Sequence, residues 1–289
     1  MMTTLTRRDR VRIALNRAGT FVAIAAVILA LIPLVALIGF VISKGASSIN
    51  LDFFTQNPSE QGFAGGGWYP MIVGSLIVMA VSSAMGIPFG LLSGIYLARA
   101  GNGSFTQLAR FVTDVIAGTP SILAGVIVAG LIVIPTTNES AFAASVALAL
   151  LMFPTVTRAT EAALRAVPAE LREAALGLGS PEWKLILWVS IPTAASGIVT
   201  AIILGIARVA GETAPLYLTM GSNTYLNTDI FSGPMGALPT AIWQYSTTGA
   251  PLDADKAFAG AFVLFGIVAV LNLIARLLTY RLSKRTRIA

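Results

Sequence analysis

The sequence contains no cysteine and no histidine. Disulfides and thiolate metal sites are therefore excluded, and so is any zinc-type or histidine-based catalytic centre. Charge is scarce as well: Asp, Glu, Lys and Arg make up 11% of the chain, against 56% hydrophobic residues and a mean hydropathy of +0.81. That balance leaves little material for a soluble surface and indicates an integral membrane protein with small extramembrane parts. No G-x-x-x-x-G-K-[ST] run is present, so the chain cannot cradle nucleotide phosphates on a P-loop. Nucleophile and base pairs are lacking at membrane depth, which argues against a membrane enzyme, and Ser and Thr there read as helix–helix hydrogen-bonding groups.

What is present sorts into six apolar runs. Spans are predicted at about 21–42, 70–97, 115–135, 141–157, 193–220 and 257–280, joined as one transmembrane domain over 20–280. The first follows Arg7, Arg8, Arg10, Arg12 and Arg17, and reads as an uncleaved span behind a cytoplasmic segment, residues 1–19, with Pro33 as a possible kink. Of 19 basic residues, 16 fall in or beside the first, third, fifth and last extramembrane segments, and only Lys44 and Lys256 fall on the other side. The positive-inside rule then places both termini, including a basic tail at 281–289, in the cytoplasm, and it explains the net charge of +6 without any nucleic acid.

Several local patterns carry structural meaning. Gly86, Gly90 and Gly94 recur every four residues, a small-residue ladder for close helix packing. The run Ala117-Gly118-Thr119-Pro120-Ser121 predicts a broken helix lining a cavity. Phe53, Phe54 and Trp68, in an external loop with three glycines in a row, are expected at the membrane interface, and a short half-buried helix is expected around Ala237 to Tyr245.

Residues 158–192 form the only long charged segment between apolar runs. Pro168 suits a helix start, and Leu171, Ala174, Ala175 and Leu178 then lie on one stripe. Gly177 and Gly179 supply a stop, and Ser180-Pro181 opens a new helix bearing Trp183. A helix of this kind either lies on lipid or plugs a partner's groove, with Leu171 and Leu178 as anchors and small alanines permitting close approach.

One charged pair sits inside a span. Arg208 and Glu212, followed by Thr213, are four residues apart and expected on one helix face, about 22 Å from its cytoplasmic end. A charge at that depth costs about 2.5–3.5 kcal/mol, so the pair either fastens helices as a mutual ion pair or lines a transport route. A guanidinium on such a route suits tetrahedral oxyanions, and Glu212 either orients it or accepts a hydrogen bond from a protonated oxyanion.

These segments resemble a known family. Glu173-Ala174-Ala175, then Gly179, then Val189-Ser190-Ile191-Pro192 resembles the EAA loop of ABC-importer permeases. Ala207-Arg-Val-Ala-Gly-Glu-Thr-Ala-Pro-Leu216, Ala117-Gly-Thr-Pro-Ser-Ile122, Phe53-Phe-Thr55 and Gly65-Gly-Gly-Trp-Tyr-Pro-Met-Ile-Val-Gly-Ser-Leu76 are similar to the phosphate-specific, PstA-type permeases over nearly the whole chain. The resemblance implies an all-α, six-span, type I importer (MetI-like) architecture in a bacterial inner membrane. It further implies a paired permease subunit, two ATPase subunits that bind ATP and Mg, and an extracytoplasmic phosphate-binding protein. Glu173, Ala174, Ala175 and Gly179 would belong to the coupling helix that docks on the ATPase. An ATP-independent anion channel or secondary carrier, or a permease for another oxyanion, remains the alternative.

Overall fold

A computed structural model describes residues 7–101 and 103–286 of the chain. Residues 1–6 of the expected N-terminal segment and 287–289 of the expected tail lie outside the described residues. Among those described, structure is helical apart from an isolated bridge between Pro58 and Gly66. Four helices are long and apolar enough to cross a membrane: α1 (Arg7–Gly45), α2 (Tyr69–Arg99), α5 (Ala141–Arg165) and α11 (Pro251–Thr286). Among the described residues, counting each of two bent pairs as one span gives up to six. These are α3 (Ser104–Gly118) with α4 (Ser121–Thr136), bent by 102°, and α7 (Glu182–Thr193) with α8 (Ala195–Ala210), bent by 74°. Between or after them lie α6 (Ala169–Gly177), α9 (Ala214–Thr219) and α10 (Leu238–Ser246).

The bundle is organised around α5. In its most apolar window 61% of residues are buried, against 33% for α2, 22% for α11 and none for α1, so α5 is the central post. Glycine lets its neighbours approach. A Cβ on Gly90 would stand 2.7 Å from Val156 Cβ, and one on Gly94 2.7 Å from the Thr157 carbonyl oxygen, so the glycine ladder of α2 is the surface that meets α5. On another side α8 does the same: a Cβ on Gly205 would lie 2.6 Å from Val156 Cγ2, and one on Gly197 2.5 Å from Ala163 Cβ. Helix α1 is apolar on all sides and meets the bundle at one end, where Phe40 packs edge-on against Phe258 at 5.3 Å. Pro33 lies inside α1 without ending it.

Several boundaries differ from those the pattern predicts. The third span begins at Ser104, not near 115: α3 is amphipathic, with Phe105, Leu108, Phe111 and Val112 exposed and Thr106 and Thr113 buried, so its apolar face points away from the bundle. The break at Thr119-Pro120 lies where the proline and small residues put it. The fourth span does not stop at 157. Helix α5 continues to Arg165, because the charges on its last turns find partners on neighbouring helices, and the charged loop therefore starts at Ala166. The fifth span is broken twice, by the bend at Ala194 and again at Gly211–Thr213. The last span starts at Pro251, which takes Asp253, Asp255 and Lys256 into α11.

At the end of the bundle opposite the Arg-rich one, the connecting loops form a small lobe. Phe53 and Trp68 face the protein core and not its surroundings: they stack at 5.7 Å and are almost fully buried with Leu238 and Tyr245, because α10 folds over them. Only Phe54 of the three expected interfacial aromatics is exposed. The Gly62 N–H donates to both carboxylate oxygens of the buried Asp253, at 2.9 and 3.0 Å, while Lys256 donates to Ser59 Oγ and the Phe63 carbonyl. The Tyr245 hydroxyl donates to the Ser59 carbonyl, and burial, reinforced by the Asp253 charge, raises its pKa.

Candidate functional site

At the Arg-rich end a single carboxylate gathers three arginines from two helices. Glu161 on α5 is nearly buried and meets Arg110 of α3 at 3.2 Å, Arg158 at 3.1 Å and Arg165 at 2.9 Å. Arg158 also pairs with Asp114 of α3. Arg110 and Arg165 each donate to the Leu97 carbonyl, so two guanidiniums cap the C-terminal turn of α2, where the helix dipole favours positive charge. None of Arg110, Asp114 or Glu161 stands out in the sequence, because their pairing is between helices. The only local sign is the spacing of Arg158, Glu161 and Arg165 at i, i+3 and i+7.

The helix that follows, α6, is set by its ends. Pro168 is its N-cap, one position before the predicted start, since proline favours the extended backbone seen there. At the other end Ser180 N–H donates to Ala175 C=O and Gly179 N–H to Leu176 C=O, a Schellman closure that needs the left-handed φ of +76° found at Gly179. A glycine is the residue that adopts this at least cost. The next helix begins at Glu182 with Pro181 as its N-cap. Leu171, Glu173, Ala174 and Leu178 are exposed, with Leu178 89% so, and Ala175 is half-buried. Helix α6 packs on α7 through its other face, and Glu182 of α7 pairs with Arg99 of α2 at 2.9 Å. The stripe of Leu171 and Leu178 is therefore presented outward, on a segment tied back to the bundle.

Arg208 and Glu212 are not on one helix face. Helix α8 ends at Ala210, Gly211 to Thr213 form a non-helical link, and α9 starts at Ala214, so the i, i+4 relation is lost. The two side chains make no salt bridge with each other; the Arg208 guanidinium donates instead to Thr155 Oγ1 of α5 at 3.1 Å. Arg208 is exposed, and Glu212 and Thr213 are half-buried. The broken segments pack side by side, with Gly125 of α4 so close to Pro215 of α9 that a Cβ would stand 2.7 Å from its Cα. The arrangement puts a guanidinium with no carboxylate partner among the described residues at a helix break within the bundle, and such a group attracts anions. Thr155 is a residue that sequence reasoning passed over, because a threonine in a span ordinarily bonds within its own helix.

The chain is similar to proteins of known kind. Residues 86–288 match the family described as binding-protein-dependent transport system inner membrane component. The phosphate transport system permease protein PstA of Mycobacterium leprae is 38% identical over 277 residues, covering 93% of this chain and 90% of that protein. Among solved structures, an inward-facing MetNI methionine ABC transporter aligns with a TM-score of 0.62 at 20% identity, over 74% of this chain and 96% of that one. A bacterial alginate ABC transporter, in complex with its alginate pentasaccharide-bound periplasmic protein, aligns with a TM-score of 0.66 at 14% identity, over 94% and 97%. The fold is thus the all-α, type I importer permease fold, and the chain belongs to the family of binding-protein-dependent transport system inner membrane components.

Proposed function

We propose that this chain is the transmembrane permease subunit of an ATP-driven phosphate importer, providing half of the translocation pathway. The single observation that carries the proposal is Arg208: a guanidinium beside a helix break, with no carboxylate against it among the described residues. The relative with 38% identity being a phosphate permease supports phosphate as the anion. A paired permease subunit supplies the other half, and an extracytoplasmic phosphate-binding protein delivers the substrate.

Energy comes from two ATPase subunits, which bind the ATP and Mg; this chain is non-catalytic and binds no cofactor. The outer face of α6, with exposed Leu171, Glu173, Ala174 and Leu178, half-buried Ala175 and the closure at Gly179, is where an ATPase subunit docks. The Arg-rich end faces the cytoplasm, so both termini lie there and the Trp68 lobe faces the binding protein.

The test is ATP-driven phosphate uptake by the assembled complex carrying Arg208→Gln. Loss of uptake with intact assembly is expected. Normal uptake would remove the pathway role, and phosphate flux through liposomes containing this chain alone would remove the need for an ATPase.

A further inference from the structure

We propose that Thr155 is a second donor to the transported oxyanion, a hydroxyl held beside Arg208 and aimed by it. The inference rests on the reading of Arg208 as a pathway residue and extends it to a second helix. Threonines in the helices of this chain usually spend their hydroxyl proton on their own backbone: Thr113, Thr157, Thr193, Thr200, Thr219 and Thr279 each donate to the carbonyl four residues earlier. Thr155 does not. Among the described residues its one hydrogen bond is the one it accepts from Arg208 Nη1 at 3.1 Å.

That bond decides which way the hydroxyl acts. With the guanidinium on an oxygen lone pair, the Thr155 O–H is left to donate, and among the described residues the remaining N–H groups of Arg208 have no protein acceptor either. Two adjacent groups therefore present donors and no negative charge. A tetrahedral oxyanion fits this: the planar guanidinium takes one edge and the hydroxyl takes a further oxygen. Both side chains are accessible, Arg208 exposed and Thr155 half-buried, so the pair faces open space instead of the core.

Packing fixes the pair. Gly205, one turn before Arg208, sits so close to Val156, the neighbour of Thr155, that no side chain fits between α8 and α5. Depth agrees from both sides: Thr155 lies roughly 15 Å from the Arg165 end of α5 and Arg208 roughly 20 Å from the start of α8, at about 1.5 Å per residue. The two residues thus meet at one level, several helical turns from the Arg-rich end of the bundle.

The test uses the assembled complex with its ATPase, reading KM and maximal rate of ATP-driven phosphate uptake separately. Thr155→Val keeps the shape and removes the hydroxyl, and should raise KM about tenfold, the usual worth of a hydrogen bond to a charged group. Thr155→Ser restores the donor and should return KM to the wild-type value. An unchanged KM in Thr155→Val, or equal losses in the Val and Ser variants, would overturn the proposal, since either would mean that the hydroxyl does not meet phosphate. A lower rate at unchanged KM would overturn it too, by assigning Thr155 to packing alone. Should Thr155→Val fail to assemble, Thr155→Ala adds no bulk and carries the same expectation. Arg208→Gln in parallel separates the two readings: if it transports normally the pathway role itself fails, whereas its loss beside a normal Thr155→Val overturns only the present inference.

Discussion

Replacing Glu161 by glutamine tests whether the Arg-rich end is held by one central carboxylate. Glu161 has 8% of its side chain exposed and is approached by three guanidiniums within 3.2 Å. Glutamine has nearly the same shape, but its amide would point N–H donors at guanidinium donors, leaving three cations with Asp114 alone. Breaking a buried ion pair by removing one partner costs about 3–5 kcal/mol. Here the three arginine side chains are 24%, 34% and 51% exposed, so water recovers part of the loss. We expect about 2–3 kcal/mol for Glu161→Gln, and about 0.5 kcal/mol for Arg165→Ala, whose guanidinium is half exposed and whose loss leaves Glu161 two other arginines. Thermal unfolding of the purified protein in detergent checks this, with Glu161→Gln lowering the midpoint by roughly 4–10 °C and Arg165→Ala by about 1–2 °C. Equal shifts in the two variants would refute the idea of a hub, and a Glu161→Gln midpoint matching the wild type would refute any structural role for the cluster.

Two further substitutions probe the packing and the closure of α6. Gly90→Leu drives a side chain into Val156 and should destabilise the bundle by about 1–3 kcal/mol, read as loss of detergent-stable protein, whereas a leucine at Gly130, where nothing approaches, should not. Gly179→Ala forces an alanine into left-handed backbone at a cost of about 1–2 kcal/mol, and should weaken co-purification with the ATPase subunit while leaving the amount of this chain in the membrane unchanged.

The sequence was informative where structure is local. The start and stop of α6 follow from Pro168 and Gly179, the helix at Leu238–Ser246 from a short patterned run, and the α2 ladder from a period of four. It was silent where partners are distant. Arg158 and Arg165 read as loop because charge after an apolar run marks a membrane edge; only Asp114, Glu161 and the Leu97 carbonyl, from other turns and helices, explain why the helix continues through them. Phe53 and Trp68 read as interfacial because nothing near them in sequence announces the cover given by α10. The break after Ala210 was hidden for another reason: Gly211, Glu212 and Thr213 interrupt the apolar run too briefly to end it, and Pro215 lies in the first turn of the next helix, where proline is equally at home.

That break gives the proposed machine a mechanical line. A force on α6 reaches α7, on which it packs, and α7 is tied to α2 by the Arg99–Glu182 pair and joined to α8 through the bend at Ala194. Helix α8 approaches α5 so closely at Gly205 that sliding would bring a larger residue of α8 against Val156, which favours a pivot or a joint movement with α5. Its far end bears Arg208, in the last turn before the helix ends at Ala210. Movement at the proposed docking surface would therefore appear at the proposed anion site as a change in the Arg208–Thr155 contact. Coupling in this sense requires two states that differ in that contact. A spectroscopic probe pair on α5 and α8 that reports one distance in nucleotide-free and ATP-bound complexes alike would break the line at its last link.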